Sequence, residues 1–399
     1  MTGTLRTTLP TTRSTPLDPP PELGRIREQE PLARLEYADG HLGWLVTSYE
    51  LTREVLADNR FSNRAELQRF PFEIGGQVVP PQPPAKPGMF ISMDPPDHTK
   101  YRRLLTGQFT VRRMNLLRPR IERIVADHLV AMREHGSPVD LVPTFARPVP
   151  SLVICEILGV PYEDRAEFQQ NTDRMLRLDR TFDEIMAAFA RIEEFVADLV
   201  RRKRVSPGDD MLSGLLESGE LTDEEVANMG VLLLVAGHET TANMLAIGTF
   251  TLLRNPDQLA AVKADPSLVD NAVEELMRFL TIIQFGTSRT ALEDVELAGQ
   301  VVRAGDSVII STPAANRDPH RFERPDELDV HRPASGHVGF GHGIHQCLGQ
   351  QLARIEMRAG FGGLFREFPD LELAVPAEEV PMRTDMSIYG VHSLPVAFS

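Results

Sequence analysis

Phe340-Gly341-His342-Gly343-Ile344-His345-Gln346-Cys347-Leu348-Gly349 is the stretch on which the fold turns. Its three glycines let the backbone turn tightly and approach a flat ligand closely. Residues 350–366 then read as a helix, so Cys347 sits at or near a helix start. Unpaired backbone N–H groups and the helix dipole there favour a thiolate. A thiolate is a soft donor that holds iron and pushes electron density onto it, which favours O–O cleavage. A cysteine is more often apolar filler, the reading for Cys155 in Ser151-Leu152-Val153-Ile154-Cys155. A polar, glycine-rich loop is a poor place for filler. Zinc is the sharper alternative, because His337, His342, His345 and Cys347 are close in sequence, although their spacing matches no usual paired zinc pattern.

Outward from this loop, apolar residues recur at helical spacing over 115–133, 182–204 and 223–254. The last segment opens on a capping box, Thr222 with Glu225, and stops at Asn255-Pro256. It would span roughly 48 Å, and it is apolar almost all round at its centre, which marks a helix buried through the core. Inside it lies Ala236-Gly237-His238-Glu239-Thr240-Thr241. An acid and two hydroxyls amid Leu and Val would cost several kcal/mol to bury without partners, so a functional partner is the cheaper explanation. A threonine hydroxyl can also bond back to the carbonyl one turn earlier.

A second capping box, Asn271 with Glu274, opens a helix to about Leu280. Strand-like segments follow at 295–302 and 307–311, and a hairpin is expected over 34–47 with its turn at Ala38-Asp39-Gly40. Residues 63–90 form a long Pro-rich loop of the kind used as a lid. Residues 1–21 read as a flexible arm, leaving 22–399 as a single mainly helical domain with small β-sheets.

The net charge of −15 argues against a nucleic-acid binder. Two cysteines exclude a disulfide framework and suit a reducing cytoplasm. No signal pattern opens the chain. The most apolar run, 229–250, is interrupted by His238 and Glu239, so no membrane association is expected.

Phe340-Gly-x-Gly-x-His-x-Cys-x-Gly349 resembles the haem-binding signature of cytochromes P450, and three further motifs recur in the expected order over nearly the whole chain. The likeness is to soluble bacterial members of secondary metabolism. It implies the cytochrome P450 fold, with haem b (iron protoporphyrin IX) between the long central helix and the cysteine loop with its helix. Cys347 would be the metal ligand, with Phe340, Gly341 and Gly349 beside the cofactor and His345 on a propionate. His98 and Arg102 in 93–102, and Arg289 in 287–290, stand at the family's other propionate positions; taken singly, each reads as a surface charge. Glu239 and Thr240 match the oxygen-activation pair, Thr240 as hydrogen-bond donor to bound oxygen and Glu239 in the proton relay. The family often has Asp at the acid position. Glu275-x-x-Arg278 with Arg332 matches a structural triad, although the first pair alone is weak testimony.

The resemblance therefore implies a monooxygenase that hydroxylates or epoxidises a sizeable lipophilic substrate such as a macrolide, polyketide or steroid-like compound. Segments 64–92, 173–182 and 282–287 would shape the pocket. No flavin or nicotinamide fingerprint accompanies the motifs, so a ferredoxin and ferredoxin reductase would supply electrons to a monomeric enzyme using O2. Arg102, Arg103, Arg112 and Arg113 could form a docking face. A haem-thiolate sensor and a zinc-dependent helical protein are the alternatives.

Overall fold

The computed structural model describes residues 5–161, 164, 170–172 and 174–399. The helices that build the site are α1 (Asp97–Thr106), α2 (Val111–His135), α3 (Pro148–Leu158), α4 (Phe182–Val205), α5 (Asp223–Arg254), α6 (Val269–Leu280) and α7 (Gln350–Glu367). α5 is the axis of the fold, packed against α3, α4 and α7. Its boundaries are those expected. Thr222 accepts the Glu225 N–H at 3.2 Å while Glu225 takes the Thr222 N–H at 2.7 Å. Two glycines admit the neighbours: a Cβ at Gly237 would lie 2.9 Å from Ile154 of α3, and one at Gly248 2.5 Å from Phe361 of α7. α5 is long and apolar enough to cross a bilayer, yet 72% of its most apolar window is buried inside the protein. It is the core helix that its all-round apolar centre implied.

Two other helices depart from expectation. α2 starts at Val111, four residues before the predicted Asn115, because Thr110 caps it by accepting the Arg113 N–H. The capping box at Asn271 and Glu274 does not form. α6 already begins at Val269, and the Asn271 amide donates to the Val330 and Arg332 carbonyls at 2.5 and 2.8 Å. Glu274 points away to partners described below.

The main sheet contains β1 (Arg6–Thr7), β2 (Leu32–Glu36), β3 (Leu42–Val46), β4 (Phe61–Ser62), β5 (Thr287–Ala291) and β6 (Ser307–Ile310), in the order β1-β2-β3-β6-β5-β4. β2 and β3 form the expected hairpin, with Gly40 at φ 81° in its turn. Trp44 pairs with Val308, and Val308 in turn with Arg289, so the sheet delivers Arg289 to the helical half. The expected strand 295–302 is a tight hairpin turning at Ala298 and Gly299.

The N-terminal segment, expected as a flexible arm, lies along the body from residue 5. Arg6 pairs with Arg34, Arg13 stacks 3.8 Å over the Tyr389 ring, and the Tyr389 hydroxyl donates to the Pro16 carbonyl at 2.8 Å.

Candidate active site

The cysteine loop is closed by a 2.9 Å hydrogen bond from the Cys347 N–H to the Phe340 carbonyl. Gly341 and Gly343 sit at φ 71° and 73°, where a side chain is strained. Gly343 also presses on the helix Tyr49–Ala57: a Cβ there would lie 2.1 Å from the Leu56 carbonyl oxygen. Cys347 is exposed, yet protein surrounds it on most sides. Burial pushes its thiol above the ordinary value, against the Gly349 and Gln350 N–H groups and the cations Arg102 and Arg354. The helix-start N–H groups are present as read from the sequence, but they do not by themselves outweigh burial. A bound metal would displace the proton.

Four nitrogenous side chains converge beside the loop. The His98 and His345 rings lie 4.3 Å apart. Arg102 donates to the Gln346 carbonyl at 2.6 Å. Arg289, 2% exposed, donates to the Asn63 side-chain oxygen and the Ser288 carbonyl, both at 2.7 Å. Burial lowers the Arg289 guanidinium to about 10. Burial first, then the charges of Arg289, His98 and Arg102, depress His345 to about 3. No carboxylate forms an ion pair with any of the four among the described residues. Asp94, which feels both His98 and Arg289, is held by the Ser62 hydroxyl at 2.6 Å and the Asn63 N–H at 2.8 Å. The His98 Nε2 is buried without a partner. The cluster thus gathers cationic and hydrogen-bonding nitrogen groups with no carboxylate of the described residues paired to them.

On α5, Ala236 is exposed and Val235, Gly237 and Thr240 partly so, an open strip on a helix otherwise buried on both sides of it. The Thr240 hydroxyl donates to the Ala236 carbonyl at 2.8 Å, the back-bond expected. Glu239 is turned into the protein and is 2% exposed. Its Oε2 lies 3.0 Å from both Asn243 Nδ2 and Arg383 Nη1, and its Oε1 has no partner. Burial alone would raise this carboxyl, but Arg383, His238 and Arg147 together hold it below its ordinary value. Adjacent in sequence, the two residues point about 100° apart, as helical neighbours do.

The triad assembles fully. Arg278 meets Glu275 at 2.7 and 2.8 Å, and Arg332 adds a bond to Glu275 at 3.1 Å. A second set was not foreseen. Arg354 of α7 forks onto Glu274 at 2.6 and 2.9 Å, His337 reaches the same carboxylate at 3.2 Å, and the Arg354 guanidinium lies 4.5 Å over the Phe340 ring. His337, counted in the zinc alternative, is therefore occupied. Among the described residues no group of three or more His, Cys, Asp or Glu could hold a metal ion.

Of the segments expected to shape a pocket, Asp173 lies outside the described residues. The Gly75 N–H donates to the Leu178 carbonyl at 2.9 Å, Phe72 packs on Phe285 with centroids 4.6 Å apart, and Asn228 donates to the Pro87 carbonyl at 2.8 Å. The 63–90 loop is thus tied down onto 174–178, 282–287 and α5.

Haem fits this set of residues: an exposed cysteine amid protein, a cluster of two arginines and two histidines with an orphaned imidazole nitrogen, and an open strip on the core helix. The family described as Cytochrome P450 matches residues 40–396. Cytochrome P450 105C1 of Streptomyces sp is 49% identical, with 100% of each chain covered. Pentalenic acid synthase of Streptomyces avermitilis is 44% identical over 98% of this chain and 96% of its own. The crystal structure of CYP105P1 in complex with filipin I superposes with a TM-score of 0.94 at 45% identity, covering 99% of both chains. With that cysteine loop and that core helix, the chain belongs to the cytochrome P450 family of haem-iron monooxygenases.

Proposed function

We propose that Cys347 would hold the iron of a haem b as its thiolate ligand, and that the enzyme inserts one oxygen atom from O2 into a sizeable lipophilic compound by hydroxylation or epoxidation. The convergence of His98, Arg102, Arg289 and His345 without an answering carboxylate carries this reading, because two propionates are what the cluster lacks. Bound haem supplies the electron storage and O–O cleavage that no side chain can. The protein's share is placement, dryness and protons. Phe340, Gly341 and Gly349 would hold the cofactor's near side, with the Arg354 guanidinium 4.5 Å over the Phe340 ring.

Thr240 gives its own proton to Ala236, so its lone pairs are what it offers the pocket. Donation by Thr240 into the pocket would require releasing that bond. Glu239 is the relay's acid, ionised and with one oxygen free to accept. Glu is one methylene longer than the Asp frequent here, and Arg383 and Asn243 take up that reach.

The substrate class is supported by two relatives, one solved in complex with filipin I and one named pentalenic acid synthase. A macrolide, polyketide or steroid-like molecule suits a pocket roofed by the 63–90 loop. Electrons come from a ferredoxin and its reductase to a monomeric, cytoplasmic enzyme. Val111 and Leu116, exposed beside Arg112 and Arg113, offer a mixed apolar and basic docking face.

The test is the carbon-monoxide difference spectrum of the reduced protein, for wild type and Cys347→Ser. Wild type should show the long-wavelength Soret band of thiolate ligation and the serine variant should not. A band at the ordinary wavelength in wild type would overturn the ligand assignment. Spin-state titration with candidate lipophiles then finds the substrate.

A further inference from the structure

The residues 382–391 were silent in the sequence, yet they touch both halves of the machinery. Met382 and Val391 form an antiparallel bridge, and the Arg383 N–H donates to the Gly390 carbonyl at 2.9 Å. One side of this hairpin is locked to α5. Arg383, 3% exposed, bonds Glu239 Oε2 at 3.0 Å and Asn243 Oδ1 at 3.1 Å through a single nitrogen. Asn243 closes the ring with its own 3.0 Å bond to Glu239. The backbone is pressed on as well: a Cβ at Gly390 would lie 2.0 Å from Asn243 Oδ1, so only glycine lets the hairpin approach this closely.

The other side holds the segments expected to roof the pocket. The Leu178 N–H donates to the Asp385 carbonyl at 2.8 Å, Ser387 N–H to Leu176 at 3.1 Å, and Tyr389 N–H to Ile282 at 2.9 Å. The Gln284 side chain donates to the Met386 carbonyl at 2.8 Å, and Arg177 lies 3.2 Å from Asp385. Leu178 in turn holds Gly75 of the Pro-rich loop. From the Pro-rich loop to the Glu239 carboxylate, hydrogen bonds at Gly75–Leu178, Leu178–Asp385 and Arg383–Glu239 are joined by the short stretch of hairpin chain between Asp385 and Arg383.

We propose that this hairpin couples the roof of the substrate pocket to the proton-delivering acid, with Arg383 as the positioning residue that sets the place and charge of Glu239. The inference rests on the relay role proposed above for Glu239. A buried ion pair is weak as a stabilising device, since an apolar pair of similar volume frequently does as well. A purely structural pair would also satisfy both carboxylate oxygens, whereas here Oε1 is left without a partner. What the arrangement supplies is an ionised carboxylate whose cation is carried by the hairpin that is bonded to 176–178 and 282–284. The charged and titratable groups facing Glu239 are Arg383 from the hairpin, His238 from α5 itself, and Arg147 at the start of α3. Among these three, Arg383 is the one carried by the hairpin that is bonded to the roof segments. Such coupling is reciprocal: what the roof does to the acid, the acid must do to the roof.

The holoenzyme tests both directions. Arg383→Ala should divert consumed O2 from product to peroxide, and it should move the acid limb of the pH–rate profile upward by about one unit, because a lost cation raises a carboxyl. Arg383→Lys keeps the charge and should recover part of the coupling. Gly390→Ala pushes the hairpin off α5 with no change of charge and should mimic Arg383→Ala. In reverse, Glu239→Gln should speed hydrogen exchange several-fold at the Leu178, Ser387 and Tyr389 amides. Should Arg383→Ala fail to fold, Arg383→Lys and Gly390→Ala decide the forward direction.

The proposal falls if Glu239→Gln is uncoupled while the Arg383 and Gly390 variants keep wild-type peroxide yield and pH profile, or if exchange at the roof amides is unchanged in Glu239→Gln. If Glu239→Gln itself keeps coupled turnover, the relay role of Glu239 falls instead, and the exchange result still judges the mechanical link.

Discussion

Glu275 and Arg278 face one another one turn apart on α6, bonded twice at 2.7 and 2.8 Å, with neither side chain exposed at all. Arg278 also donates to the Asn316 and Pro325 carbonyls, so it ties α6 to the segment leading into the cysteine loop. Removing one partner leaves an uncompensated buried charge, which costs about 3–5 kcal/mol. Arg278→Ala leaves the buried Glu275 carboxylate with one cation fewer and should fall in this range. Arg324 pairs with Glu327 at 2.8 Å, but both are about 60% exposed, and Arg324→Ala should cost about 0.5 kcal/mol or less. Urea unfolding of the two variants checks the contrast.

Glu274 predicts an acid-labile loop. Although burial opposes it, His337 and Arg354 hold its carboxyl at about 2, below the ordinary 4.5. A folded-state value depressed in this way contributes stability above pH 4.5 and loses it as pH falls towards 2. The contribution near neutrality is about 3 kcal/mol at most. Glu274→Gln should therefore melt lower than wild type at pH 7, with the two curves converging as pH falls. A parallel offset down to pH 2 would mean that the carboxylate's charge is not what matters. Thermal unfolding monitored by circular dichroism against pH distinguishes the two.

Local signals in the sequence proved good guides where the structure they specify is local. The α5 boundaries follow from one capping box and one Asn-Pro, and the cysteine loop from three glycines before a helical pattern. The Asn271–Glu274 box has the same local form, but Asn271 finds carbonyls at 330 and 332 and Glu274 finds Arg354, so tertiary partners override the cap. Arg383 stands alone in a Pro- and Met-containing stretch, 144 positions from Glu239, and no periodicity points from one to the other. The N-terminal segment has a disordered composition; its order comes from Tyr389 and Arg34, hundreds and tens of residues away.

Arg289 and His98 should govern cofactor retention more than folding. Arg289 is delivered by β5 and has side-chain and backbone partners of its own, while His98 leaves Nε2 unsatisfied. His98→Ala removes that orphan and should leave the haem-free chain as stable as wild type, yet raise the rate at which haem transfers to an acceptor protein several-fold. Arg289→Ala removes a cation from the cluster and should act in the same direction and more strongly, since charge-assisted bonds are about twice as strong as neutral ones. Equal transfer rates in wild type and both variants would refute the propionate assignment.

Gly343 and Gly349 flank Cys347 and look interchangeable in the motif, but they answer to different constraints. Gly343 is at φ 73°, and its Cβ would lie 2.1 Å from the Leu56 carbonyl, a backbone atom that cannot step aside. Gly343→Ala therefore combines a left-handed strain of about 1 kcal/mol with a steric clash, and should lower the melting temperature of the polypeptide itself. Gly349 is at φ −82°, and a Cβ there meets nothing within 4 Å. Gly349→Ala should leave the melting of the haem-free chain unchanged, because no protein atom lies within 4 Å of a Cβ there, and it should lower the haem content if Gly349 borders the cofactor as proposed. The measurement is a pair of melting curves with a haem titration of each variant. If Gly349→Ala destabilises the haem-free chain as much as Gly343→Ala does, its glycine serves the loop's own folding rather than the approach of the ring.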